Sequence, residues 1–245
     1  MIDFGKLIDR HLERGMRPKD IGRYYPSEVG SCLRKVWFSY KNPKEMDPET
    51  VRVFKVGNML HDFVSEVLRS EKNPDIRLVQ SEAPFKLEAR DFTISGRVDD
   101  VILVEKSGEQ VLVEVKTTKM VSMTKEASQP HVMQLQLYMH ALNIHKGIVL
   151  YIEKNSLKTK EFDVDYQPEK YAMIIERFNM LHKHLKSGEL PAPEAREDPN
   201  MKWLCGYCEY KEECKQADAG APKDDKATPK AEKKPGSGRG LSKFM

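Results

Sequence analysis

The chain has 245 residues, 32% of them charged and 39% hydrophobic, and its 41 Lys and Arg against 38 Asp and Glu leave a formal net charge of +3. That length supports one sizeable domain with a full core, and no apolar run approaches the roughly 20 residues of a bilayer crossing, so no membrane partner is expected. No secretory signal pattern is present, which predicts a cytoplasmic protein whose four cysteines stay reduced.

Residues 1–45 carry ten Lys and Arg against six Asp and Glu. They form a candidate basic patch for nucleic acid, with Arg34 and Lys35 beside Cys32 its most interesting members. Such a patch must act locally. Residues 216–245 hold seven basic and four acidic side chains, a net of +3, so residues 1–215 are formally neutral.

Val56, Met59, Leu60, Phe63, Val64, Val67 and Leu68 recur at three- and four-residue steps and predict an amphipathic helix. His61 borders its apolar face, and Gly57, one turn earlier, leaves space beside the imidazole. The next run, 93–104, is rich in β-formers and places Asp99, Val101 and Leu103 on one face and Asp100, Ile102 and Val104 on the other. If that strand is covered on both sides, one of the adjacent aspartates must face inward.

After a turn at Lys106-Ser107-Gly108-Glu109, a second strand over 111–116 puts Glu114 and Lys116 on a shared face about 7 Å apart. Burying that pair costs several kcal/mol unless a cation and a phosphate come to occupy it. A hairpin presenting Asp99 and Glu114 side by side offers two carboxylates to a hard divalent cation, Mg2+ or Mn2+, with His61 as a nitrogen donor. Lys116 would then face a phosphate or the attacking water, an arrangement suited to phosphodiester hydrolysis. A second E-x-K triplet, Glu209-Tyr210-Lys211, lacks the strand context.

Pro130 opens a further helix that runs through Leu142, on which Gln134 and Tyr138 lie one above the other, positioned to hold a DNA strand or to form a polar surface stripe. Residues 148–152 read as a buried strand and 171–185 as a last amphipathic helix. Cys205, Cys208 and Cys214 then follow in a C-x2-C-x5-C pattern, and Cys32 completes a four-thiolate site that ties the two ends of the fold together. Cysteine ligation of this spacing suits zinc as well as an iron–sulfur cluster. From 216 to 245 the composition of Ala, Lys, Asp, Pro and Gly predicts a disordered tail, ending in Leu241, Phe244 and Met245.

The order Gly57-x-x-x-His61, Gly96-x-x-Asp99, Glu114-x-Lys116, Gln134-x-x-x-Tyr138 and C-x2-C-x5-C resembles the RecB-type PD-(D/E)XK nucleases. The cysteine arrangement is similar to their iron–sulfur branch, which includes the CRISPR-associated RecB-like exonucleases and the nuclease domains of AddB-type helicase-nucleases. The resemblance covers residues 25–215, with Val98 where the nominal motif has proline and with Gln136 and Gln129 competing for the place of Gln134.

The resemblance implies an α/β, restriction-endonuclease-like core in residues 1–215, with a central mixed β-sheet flanked by helices and termini clamped by a 4Fe–4S cluster on Cys32, Cys205, Cys208 and Cys214. It implies a catalytic Mg2+ or Mn2+ held by His61, Asp99, Glu114 and the Val115 carbonyl, Lys116 as catalytic lysine, and Gln134 and Tyr138 as DNA-positioning residues. The implied activity is exonucleolytic cleavage of single-stranded DNA or DNA ends, in CRISPR spacer processing or in repair and replication. A non-catalytic DNA-binding subunit is the alternative. The sequence contains no P-loop motor motif, so unwinding would need a helicase partner. An integrase complex is a second expected partner, and the terminal Leu241-x-x-Phe244-Met245 resembles a degenerate sliding-clamp-binding peptide.

Overall fold

Along the chain, α1 (Phe4–Leu12) precedes a two-residue strand β1 (Arg23–Tyr24), α2 (Leu33–Lys41) and the long α3 (Pro48–Arg69). Strands β2 (Ile76–Glu88), β3 (Thr93–Val104) and β4 (Glu109–Thr118) lead into α4 (Gln129–Leu142). Then come β5 (Lys146–Glu153), β6 (Thr159–Asp165) and α5 (Pro168–Ser187), followed by a one-turn α6 (Glu194–Glu197), a 3-10 segment (Lys202–Tyr207) and α7 (Lys211–Ala219). This computed structural model describes residues 2–13, 15–16 and 18–219. The clamp-type peptide at Leu241, Phe244 and Met245 and the expected tail from 220 onward lie outside the described residues.

Local chemistry sets the element ends. Asp47 caps α3 by accepting the Thr50 N–H at 2.9 Å, with Pro48 at the first helical position. Gly108, at φ 70°, closes the β3–β4 hairpin. The strands form one mixed sheet in the order β1-β3-β4-β5-β6, with β2 also paired to β3. β3 and β4 run antiparallel, β4 and β5 run parallel around α4, and β5 and β6 close an antiparallel hairpin. This is the mixed sheet flanked by helices that the resemblance implies.

Both faces of the sheet are covered. On one, Leu112 and Val149 pack with Leu135 and Met139 of α4 and Phe178 and Leu181 of α5. On the other, Ile102, Val111, Val113 and Val115 pack under Val64, Leu60 and Leu68 of α3. Among the described residues no helix is long and apolar enough to cross a membrane.

Two expectations need correction. The chain stays helical through Ala219, four residues past the expected boundary, because Asp218 is held by both Arg34 and Arg196. Arg34 and Lys35 are not a free basic patch. Arg34 is buried, donating to the Pro191 carbonyl at 2.6 Å and to Asp218, and Lys35 pairs with Glu209 at 3.0 Å.

Asp100 is the aspartate that turns inward. Fully buried beneath α3, it accepts the Ser65 hydroxyl at 2.7 Å through Oδ1, while Oδ2 has no partner among the described residues. Burial pushes its carboxyl above the ordinary range, with Ser65 and Ser81 offsetting part of the shift. A raised carboxyl pKa stabilises the fold below the unfolded-state value and loses that contribution as pH rises through the folded-state value. Asp100→Asn should therefore flatten the decline of the melting midpoint as pH rises above the ordinary carboxylate range, read by thermal denaturation across a pH series.

Candidate active site

The β3–β4 ladder runs from Val104 opposite Glu109 to Asp100 opposite Val113 and stops there. One residue further, a side chain takes over the backbone's role, as Asp99 Oδ2 accepts the Val115 N–H at 2.8 Å. This bond turns the carboxylate along the opening between the two strands. Its other oxygen lies 3.4 Å from His61 Nδ1, carried there by α3. Gly57, one turn before His61, would bring an added Cβ no closer than 3.9 Å to Thr117 Oγ1, so the space expected there is present. Gly96 is under tighter constraint. A Cβ on it would sit 3.0 Å from the Pro26 ring and 3.2 Å from Phe85.

Glu114 projects from β4 on the α4 side and is 1% exposed. Lys116 Nζ donates to its Oε1, while Oε2 has no partner among the described residues. Lys116 also lies 3.4 Å from Gln134 Oε1, and the Gln134 amide donates to the Tyr138 hydroxyl at 2.6 Å. Glu114, Lys116, Gln134 and Tyr138 thus form one chain of polar contacts, with His61 and Asp99 beside it. Tyr138 itself is buried against Phe85, so its hydroxyl orients Gln134 and is not an open hydrogen-bonding surface. Gln136 is taken up elsewhere, donating to the Asp165 carbonyl and accepting the Gln167 N–H, both at 2.8 Å, and Gln129 is exposed at the start of α4.

Burial and the Asp99 charge push the Glu114 carboxyl up to about 7, with Lys116 opposing them. Lys116 would be lowered by burial, but Glu114 and Asp99 hold it above its ordinary value, so it remains a cation. For His61 burial also lowers the pKa, and the hydrogen bond and charge of Asp99 outweigh it. The result is a cluster of two acids and a cation with one carboxylate oxygen unsatisfied among the described residues. An unpaired buried oxygen costs about 1–3 kcal/mol, more when charged, and a bound cation would offset it. The donor set of carboxylates with one imidazole suits Mg2+ or Mn2+.

The four cysteines also come together. Cys32, at the N-terminus of α2, lines a cavity of about 290 Å³ with Cys205, Cys208 and Cys214, walled by Phe38, Leu204 and Tyr210. Around it, Phe38 stacks on Tyr210 at 5.5 Å and Lys44 donates to the Glu209 carbonyl at 2.7 Å. Arg34 reaches Cys214 Sγ at 3.7 Å. Among the described residues no three His, Cys, Asp or Glu side chains have converged into a ligand shell, at the cysteines or at the hairpin.

Two residues near Lys116 were not anticipated from sequence, His131 and Tyr151. The one signal for the first is its spacing, three residues before Gln134 on α4.

The sequence signature of the PD-(D/E)XK nuclease superfamily matches residues 1–215. A protein named CRISPR-associated exonuclease Cas4, from Saccharolobus solfataricus (strain ATCC 35092 / DSM 1617 / JCM 11322 / P2), is 23% identical over 214 residues, covering 85% of this chain and 94% of that one. The crystal structure of SSO0001 superposes with a TM-score of 0.58 at 22% identity, covering 84% of this chain and 90% of that one.

A cation bound at the hairpin must displace the Glu114 proton below about pH 7. Mn2+ at a hundredfold excess over its dissociation constant should therefore raise the melting midpoint by roughly 5–10 °C at pH 8. The shift should shrink at pH 6 and vanish in Glu114→Gln, as differential scanning fluorimetry would show.

Proposed function

The chain belongs to the PD-(D/E)XK nuclease superfamily, and we propose that it is a metal-dependent DNA exonuclease acting on single-stranded DNA or DNA ends. The observation that carries this reading is Glu114, buried with one oxygen unpartnered among the described residues, in contact with Lys116 and beside Asp99.

Asp99, Glu114, the Val115 carbonyl and His61 would hold Mg2+ or Mn2+. When bound, the cation neutralises charge developing on the scissile phosphate and lowers the pKa of water at the site. The side chains do the rest. The Val115 N–H fixes the Asp99 carboxylate, so its free oxygen need not reorganise. Lys116 keeps its proton and presents a cation to the phosphate or the attacking water. Gln134, fixed by Tyr138, limits where the Lys116 ammonium can sit and offers an amide to the DNA backbone.

The shared cysteine cavity supports a 4Fe–4S cluster on Cys32, Cys205, Cys208 and Cys214, whose contribution is structural cross-linking of α2 to the C-terminal segment. Cysteine side chains from α2 and from the C-terminal segment lining one apolar-walled space fit such a group. The likeness to a CRISPR-associated exonuclease supports DNA trimming before spacer integration over general repair, with an integrase complex as the partner. Duplex substrates would need a helicase to open them.

With anaerobically purified protein and Mn2+, single-stranded DNA labelled at either end should be shortened stepwise. Asp99→Ala should cut at least about 10²–10³-fold more slowly, the loss typical of removing one group aimed at transition-state charge. Cleavage that survives in Asp99→Ala would refute the assignment. Cys208→Ala should lose the broad visible absorbance of iron–sulfur protein together with its bound iron, and a colourless wild type carrying stoichiometric zinc would rule the cluster out.

A further inference from the structure

His131 lies one turn before Gln134 and two turns before Tyr138, so the three share one stripe of α4. Lys116 pairs in the sheet with Tyr151 of β5, and the Tyr151 hydroxyl bonds His131 Nδ1 at 2.7 Å. That hydroxyl also accepts the Ser128 N–H at 2.9 Å. Its own proton has no acceptor among the described residues other than Nδ1. The phenol therefore donates to Nδ1, which places the imidazole proton on Nε2.

Among the described residues Nε2 has no hydrogen-bond partner, and the ring is half-buried. Burial, and then the nearby Lys116 charge, lower the His131 pKa to about 4, so the ring is neutral at physiological pH. An oriented, neutral N–H donor beside the catalytic lysine, on the stripe that already carries Gln134, has no structural task in the described fold.

We propose that His131 is a substrate-contacting residue, donating its Nε2–H to a backbone phosphate of the DNA strand, with Tyr151 as the positioning residue that fixes its tautomer. The proposal rests on the nuclease reading of this site. A phosphate suits this donor because its oxygens accept readily and need no further proton from the protein. A neutral donor adds geometry without adding charge to a site that already holds Lys116 and would hold a divalent cation.

The test is binding of a fluorescently labelled single-stranded oligonucleotide in Ca2+, by anisotropy, alongside cleavage in Mn2+. His131→Ala should raise the dissociation constant about tenfold, the worth of one hydrogen bond to a charged group. The slope of log affinity against log salt should stay that of the wild type, whereas loss of a cationic contact would reduce it by about 0.7. His131→Gln, which keeps a neutral donor, should recover most of the affinity. Tyr151→Phe, a milder change, should weaken binding in the same direction without altering the salt slope. Equal affinity in wild type and His131→Ala, or a reduced salt slope, overturns the proposal while leaving the nuclease reading intact. A wild type that neither binds nor cuts overturns both.

Discussion

A buried carboxylate with one oxygen unpartnered among the described residues is the constraint from which this site is built. Glu114 is tolerable in the sheet because it sits where the β3–β4 ladder ends and because Lys116, two residues on, reaches it from the same face. One strand away Asp100 solves the same problem differently, through a hydroxyl and a raised pKa. The comparison is informative. Burial raises both carboxyls, opposed by the Ser65 hydroxyl at Asp100 and by the Lys116 ammonium at Glu114, whose value of about 7 lets it ionise near neutrality, where a divalent cation can compete.

Both flanking layers are arranged around the point where the β3–β4 ladder ends. α3 covers one face and carries His61 to Asp99, and α4 covers the other and carries Gln134 to Lys116. Helices on opposite faces of a sheet reach the same point only beyond its hydrogen-bonded edge, where the strands part. The second organising link lies at the ends of the chain. Arg34 joins α2 to Pro191, Asp218 and Cys214, and Arg177 of α5 joins Val29, Ser31 and Glu194. Each spends several donors of one planar guanidinium on buried or half-buried acceptors, a task for which lysine is no substitute. These links bring Cys32 to the cavity that the three late cysteines line.

Much of this was legible in sequence where burial imposes a period. The strand over 93–104 appears with the expected bounds, the strand around Glu114 runs two residues further at each end, the helix through Gln134 and Tyr138 begins one residue earlier, and the helix over Val56–Leu68 begins eight residues earlier, at Pro48. β6 was missed because its charged Lys160, Glu161, Asp163 and Asp165 have the composition of a loop, although the alternation of Glu161, Asp163 and Asp165 with Phe162 and Val164 is what an edge strand shows. β2 was missed because a register shift between Leu78 and Gln80 interrupts its pattern. Arg34 was misjudged for another reason. Counting charges along a segment does not register that a guanidinium 157 residues from a backbone carbonyl in sequence will be buried against it. His131 had only its spacing from Gln134 as a signal, because the contact that orients it comes from Tyr151, the neighbour of Lys116 on β5.

The motif spacings follow from the same geometry. Gly96 is held against Pro26 and Phe85, which fixes the height of β3, and three residues later Asp99 emerges where the ladder to β4 stops. Glu114 and Lys116 are two apart because only a period of two keeps both on the α4 face. Gln134 and Tyr138 are four apart because one helical turn lets a buried phenol orient an amide nearer the opening. Each interval sets a side chain at a height along its own element, and the elements are locked together by packing that the motifs do not mention. The short patterns are therefore weak individually and informative in order, since it is the agreement of heights across β3, β4, α3 and α4 that makes a site.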